Sequence, residues 1–233
     1  MDIDIIIESL PQLLSGTLVT VKITVVSLLI GFFLAIPLSV LRVSRNPLLR
    51  WPVYGFNFYF RGTPLLVQIF LIYYGSGQFQ EILASWGLWH IFKEAWFCAV
   101  LALTLNTTAY TCEIFRGGIQ GVSHGEVEAA RACGMSGILV YRRIILPAAL
   151  RISWPAYTNE VVFLLQASSL VSVITIMDIT GVARVIAARS FAFYELFITA
   201  ALLYLIIVYG VIYVFKCIEK RLMYHTKQEN LTA

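Results

Sequence analysis

Glu160 is the one charged residue within positions 152–177, a stretch otherwise apolar enough to cross a membrane. It lies nine positions past Arg151, about 13 Å further along a helix rising 1.5 Å per residue. A carboxylate at that depth must be paired, protonated or facing a wet cavity. On the path of a cationic solute it would supply a matching charge. Bonded to a polar group on a neighbouring helix, such as Asn106, it would be structural. The residue type alone leaves both roles open. Other polar groups interrupt apolar stretches in the same way: Gln68, then Asn106 within the polar run Asn106-Thr107-Thr108, then Gln166 and Ser169. We expect Gln68, Asn106 and Glu160 nearest a central path, with Gln166 and Ser169 as further path candidates.

Glu113 and Arg116 are three positions apart. On a helix that spacing places them on one face as an ion pair, which would stiffen the segment leading into the following loop. Arg61-Gly62-Thr63-Pro64 reads as a turn-like break. No G-x-x-x-x-G-K-[ST] phosphate cradle, Ser/His/Asp set or metal-ligand cluster occurs, and the three histidines fall in separate loops. The chain is therefore expected to be non-catalytic, without metal or cofactor of its own. The four cysteines have no metal-ligand spacing and read as free thiols.

The elements that must position these groups are membrane helices. Hydrophobic residues make up 59% of the 233, and charged residues 13%, about half the share of about 25% in a soluble domain. Mean hydropathy is +0.81. This excludes a soluble enzyme, a nucleic-acid-binding domain and a disordered chain. The start carries Asp2, Asp4 and Glu8 and no Lys or Arg until position 22. That is unlike a secretory signal, so the chain is expected to keep it. The fold class expected is an all-α integral membrane protein forming a single domain over 1–233, with five transmembrane helices at about 17–41, 57–77, 95–115, 150–174 and 196–216. With the N-terminus outside, inner segments hold thirteen Lys and Arg, Lys227 included, and outer segments four. That bias places the C-terminus in the cytoplasm. Pro37 is expected to kink the first helix. Residues 178–193 read as a short amphipathic outer helix.

The longest inner connection, 117–147, is too polar to span and too rich in helix formers for a plain linker. Ser123 and Glu126 have capping-box spacing. Val127, Ala129 and Ala130 form a small apolar face, Gly134 ends that helix, a second short helix runs from Met135 to Ile145, and Pro147 opens the next span. The result is either a simple hairpin or a docking knob for a soluble partner.

Glu128-Ala129-Ala130, Gly134, Ile144 and Leu146-Pro147 match the pattern E-A-A-x3-G-x9-I-x-L-P. This resembles the cytoplasmic signature of permease subunits of binding-protein-dependent ABC importers. RGTPLLVQIFLIYYG (61–75), LTLNTTAY (103–110), EIFRGGI (113–119) and YTNEVVFLLQASSLVSV (157–173) look like the polar amino acid branch. Within it, 61–79 and LWHIF are similar to the M-type permease subunit of arginine importers, with the histidine/lysine/arginine/ornithine importers next. The resemblance implies that 117–147 carries the coupling helices seated in an ATPase groove, with Glu128, Ala129, Ala130 and Gly134 at the contact and Ile144, Leu146 and Pro147 completing the signature. It implies an inner-membrane importer of a basic amino acid, arginine first, with a histidine/lysine/ornithine, glutamine or opine permease as the alternative. Two ATPase copies, which bind the ATP, a second homologous permease (a heterodimer, or a homodimer) and a periplasmic binding protein would complete it. An ATP-independent secondary transporter or channel would need two comparable halves, which the sequence lacks.

Overall fold

The computed structural model describes residues 3–222. Lys227, used above for orientation, lies outside them, as do Asp2 and His225. The first helix, α1, covers Ile3–Arg42 and continues through both Pro11 and Pro37. Its 40 residues exceed the roughly 20 that one crossing needs. One stripe, Leu13, Thr20, Ile23, Ser27 and Ala35, is buried, while Leu18, Leu29 and Phe33 are exposed. Ile23, Ser27 and Ala35 pack on α6, Ala95–Gln120, the helix that touches α1 most, while Leu13 and Thr20 meet Ile179. Gly31 sets their approach: a Cβ there would meet Thr107 Cγ2 at 2.5 Å.

The second expected span, 57–77, is two helices. These are α2, Pro47–Gly62, started by Asn46 whose side chain accepts from Leu48 N at 3.0 Å, and α3, Leu65–Gln78. With 16 and 14 residues, neither reaches the roughly 20 that one crossing needs, and among the described residues four helical runs are long and apolar enough: Asp4–Arg42, Ala95–Gln120, Gly137–Ile174 and Phe193–Leu222. The short α4, Gln80–Ser85, and α5, Trp89–Phe92, cross the surface between α3 and α6, with Trp86 exposed.

After α6 come α7, His124–Ala132, and α8, Gly137–Val140. The separate second helix expected over 135–145 is not separate. A π-helical turn, Tyr141–Ile145, joins α8 directly to α9, Leu146–Ala167. Leu146 N donates to Tyr141 O, five residues back. This wide turn carries the helix past Pro147, which has no N–H to continue the regular ladder. The last crossing, α11, Phe193–Leu222, packs on α9 and on α10, Ile179–Ser190.

Helix α10 is the short helix expected over this segment, but it buries Ile179, Ala183 and Ala187, while Val182, Val185 and Ile186 of the expected apolar face are half-buried. Its N-cap, Asp178, is fully buried. Asp178 Oδ1 accepts from Gly181 N at 2.9 Å and Oδ2 from the Tyr204 hydroxyl at 3.0 Å. Ile179 N donates to Thr20 Oγ1 at 3.2 Å. One loop thereby ties α1, α10 and α11 together. Burial pushes the Asp178 carboxyl above its ordinary range, although these hydrogen bonds oppose the shift.

Candidate functional site: a polar cavity between α3, α6 and α9

The break between α2 and α3 explains the site's shape. Pro64 has no N–H, so the carbonyl of Phe60, four residues earlier, loses its helical donor. Gln68 and Asn106 replace it. Gln68 Nε2 donates to Phe60 O at 2.8 Å, to Thr63 O at 3.0 Å and to Thr63 Oγ1 at 2.8 Å. Asn106 Nδ2 donates to Phe60 O at 3.3 Å and to Gln68 Oε1 at 3.0 Å. Both side chains are buried. Gln68 is therefore a fastener behind the break, while Asn106 reaches both the fastener and the cavity wall.

The cavity has a volume of about 720 Å³, and its lining includes Arg61, Thr63, Asn106, Tyr110, Asn159 and Glu160. That size is within the range of about 300–1,000 Å³ usual for small-molecule sites. Glu160 is 8% exposed. Its partner on α6 is Thr107, whose hydroxyl donates to Glu160 Oε1 at 3.0 Å, and not the adjacent Asn106. Arg61 lies over the Tyr110 ring, 5.3 Å from its centroid. Among the described residues both ion pairs involve Glu113, so neither Glu160 nor Arg61 makes an ion pair, although the Arg61 charge acts on Glu160 from within the same cavity.

Gln166 and Ser169 do not join this cavity. They line another groove, with Thr180 and Tyr204, and the Ser169 hydroxyl donates to Gln166 O at 2.8 Å. At about 100° per residue, Gln166 points about 120° and Ser169 about 180° away from Glu160. The residues that share its wall, Ala156, Phe163, Leu164 and Ala167, are those at helical spacing.

Glu113 and Arg116 pair as expected, with Arg116 Nε donating to Glu113 Oε2 at 2.6 Å. The sequence reading missed two further donors: Arg42 Nε at 3.0 Å and Asn57 Nδ2 at 2.8 Å, both on Glu113 Oε1. Glu113 thus joins α1, α2 and α6. These groups line a second space of about 330 Å³ that meets the first at Arg61 and Gly62.

At one end of the bundle α7 packs on α8 and on the π-helical turn, Tyr141–Ile145, that leads into α9. Ala130 faces inward, packing with Val122, Val140, Ile145 and Ala149, whereas Glu128 and Ala129 are exposed. The apolar face expected of Val127, Ala129 and Ala130 therefore lacks Ala129. Ile144, Leu146 and Pro147 are half-buried at the base. Ser123 is the N-cap of α7, but its side chain makes no cap bond, so the expected capping box does not form. Its exposed hydroxyl is left to water. Gly134 has φ +80. Met135 N donates to Ala130 O at 3.2 Å and Gly134 N to Arg131 O at 2.9 Å, a Schellman ending that needs a left-handed residue. Ile138, 83% exposed beside this turn, was not singled out by the sequence.

Membrane-length helices around a cavity with Arg61 and Glu160 on its wall, and a helical knob at one end, suit a solute permease in class. Residues 27–224 match the family described as the binding-protein-dependent transport system inner membrane component. The chain belongs to that family. It is 51% identical over 211 residues to the nopaline transport system permease protein of Agrobacterium fabrum, covering 91% of this chain and 88% of that one. It is 44% identical over 213 residues to the histidine/lysine/arginine/ornithine transport system permease protein of Escherichia coli, covering 91% and 90%. A crystal structure of an amino acid ABC transporter with histidines superposes with a TM-score of 0.82 at 31% identity, covering 95% of this chain and 99% of that one. The protein is a non-catalytic, multi-pass inner-membrane permease component of an ABC importer for polar amino acids or opines. Membership implies an ATPase and a binding protein as partners. The relatives do not single out the arginine-type M subunit that the motifs suggested, since the nopaline permease is more similar than the histidine/lysine/arginine/ornithine one.

Proposed function

We propose that this chain carries a basic amino acid, arginine first, through the cavity between α3, α6 and α9, with Glu160 meeting the substrate's cationic group. The observation that carries the reading is Glu160 itself: a carboxylate 8% exposed, on the cavity wall, hydrogen-bonded to a threonine and in no ion pair among the described residues. Holding an unpaired charge there is costly, and a cationic solute relieves the cost each time it occupies the cavity. The N-terminus faces outside and α7 the cytoplasm. There Glu128, Ala129 and Gly134 meet the ATPase, while Ala130, Ile144, Leu146 and Pro147 root the knob. Two ATPase copies bind the ATP, a second permease completes the pathway, and this chain needs no cofactor. ATP-driven closure favours one of two states of the spans.

A second reading, an opine as substrate, draws on the 51% identity to the nopaline permease. Uptake of labelled arginine in cells with and without this chain separates the two, with unlabelled histidine, lysine, glutamine and nopaline as competitors. Loss of uptake without the chain, with basic amino acids competing best, supports the basic-amino-acid reading. Unchanged arginine uptake, with nopaline uptake lost instead, contradicts it.

A further inference from the structure

We propose that residues 189–194, the corner between α10 and α11, are seated in the headgroup layer of the bilayer, with Phe191 and Tyr194 as aromatic anchors and Arg189 on headgroup phosphate. The partner is a phospholipid surface, and the proposal holds whichever solute the chain carries.

The first observation concerns the backbone. Phe191 is the C-cap of α10 and has φ +60, in the left-handed region. Glycine is the usual residue at such a helix end, because it has no Cβ to strain. The turn is fully formed: Phe191 N donates to Ala187 O at 2.8 Å and Ala192 N to Ser190 Oγ at 3.3 Å. A phenylalanine here holds backbone strain and leaves its ring 83% exposed, so the ring gains little packing within the chain. A strained residue that displays an apolar side chain points to a partner for that side chain. Arg189, two positions earlier, is exposed and belongs to neither ion pair of the described residues.

Depth along α11 identifies the partner. Between Glu195 and Lys216 that helix carries no Asp, Glu, Lys or Arg. These 20 residues, 196–215, span about 30 Å at 1.5 Å per residue, the thickness of the hydrocarbon layer. Phe191, Phe193 and Tyr194 therefore lie just past its edge, at the level where amphipathic aromatic side chains gather. Tyr194, Leu202, Leu205 and Tyr209 are exposed and fall within about 80° around the helix axis. The apolar face of α11 thus runs up to the corner. A guanidinium beside aromatic rings at this depth matches an anionic phospholipid headgroup. The other end of α10 is already fixed: Ile179 N bonds Thr20 of α1, and Asp178 bonds Tyr204 of α11. The bilayer then holds the free end, and α10 is fastened at both.

The test places a bimane fluorophore at the corner. Phe191→Cys is made in a chain whose exposed Cys133 and Cys217 are replaced by alanine. The labelled permease–ATPase complex is reconstituted in vesicles of phosphatidylethanolamine and phosphatidylglycerol. Lipids carrying a nitroxide at the headgroup or at the chain end, and aqueous iodide, serve as quenchers. The headgroup nitroxide should remove most of the fluorescence, with the chain-end nitroxide and iodide removing less. Arg189→Glu should weaken headgroup quenching and strengthen iodide quenching at the same label. Iodide as the dominant quencher overturns the proposal, and shielding from iodide by added binding protein would then assign the corner to that protein. A label reached by no quencher also overturns it and assigns the corner to the second permease. Quenching unchanged by Arg189→Glu overturns the phosphate contact. Tyr194→Cys, which lies in the helix and carries no left-handed strain, takes the same label if Phe191→Cys fails to assemble, and the same outcomes decide.

Discussion

Asn106 on α6 donates its side-chain amide to Gln68 Oε1 on α3 at 3.0 Å, and both amides converge on Phe60 O. Two side chains from different helices thus replace the one N–H that Pro64 lacks. The break between α2 and α3 is held, with its acceptors covered, at the wall of the cavity of about 720 Å³. The discontinuity is a built feature of the site and not a defect in a span.

Gln68→Ala should destabilise the protein by about 1–3 kcal/mol, because buried carbonyls lose their donor. Gln68→Glu should be worse, since a carboxylate would face those carbonyls. Thermal unfolding of both variants in detergent checks the order. Equal stability of all three proteins would contradict the fastener role.

Glu113 compensates two guanidinium groups, Arg42 and Arg116. Glu113→Gln should cost about 2–3 kcal/mol, less than for a fully buried pair, because these side chains keep 12–29% exposure. A double-mutant cycle with Arg42→Met should show coupling. Additive effects would mean that α1 and α6 are not joined through this carboxylate.

Asp178 should give a pH signature. Its carboxyl is held above the ordinary range by burial. The unfolded chain therefore releases this proton at lower pH than the folded one. The contribution is fullest below the ordinary carboxylate range and falls as pH rises toward the raised value. Asp178→Asn keeps an acceptor for Gly181 N, so it should flatten that slope at little cost. Asp178→Ala should lose about 1 kcal/mol or more with the cap. Melting curves across pH decide. An unchanged slope in Asp178→Asn would assign the pH dependence elsewhere.

Gly134 adopts φ +80. A residue with a Cβ there costs about 1–2 kcal/mol, so Gly134→Val should loosen the end of α7. Co-purification of the ATPase with the variant should fall. Full retention would show that α7 is not the docking element.

Much of this architecture is legible in spacing and charge. Long stretches free of Asp, Glu, Lys and Arg mark α1, α6, α9 and α11, and the positive φ of Gly134 follows from glycine ending a short helix. In the sequence Arg61 reads as an orienting charge and as the start of a turn-like break, not as part of a site. The break turns it into the cavity, which a continuous helix would not do. Pro64 and Gln68, four apart, hold a signal that could have revealed the fastener: a proline orphans a carbonyl, and an amide one turn later can cover it. Helical phase alone would have removed Gln166 and Ser169 from the Glu160 face. That Thr107 and not Asn106 meets Glu160 depends on the rotation of α6, which no spacing within one helix determines. Arg42 and Asn57 were missed because they reach Glu113 from 71 and 56 residues away.

The most direct test of the account is uptake of labelled arginine by cells carrying Glu160→Gln, with chain level and ATPase association measured on the same membranes. Glutamine keeps an acceptor for the Thr107 hydroxyl and removes only the charge. Uptake should fall by at least about tenfold, in keeping with a lost charged contact, while chain level and ATPase association hold. Parental uptake from the same amount of chain would contradict the claim that Glu160 meets the cation.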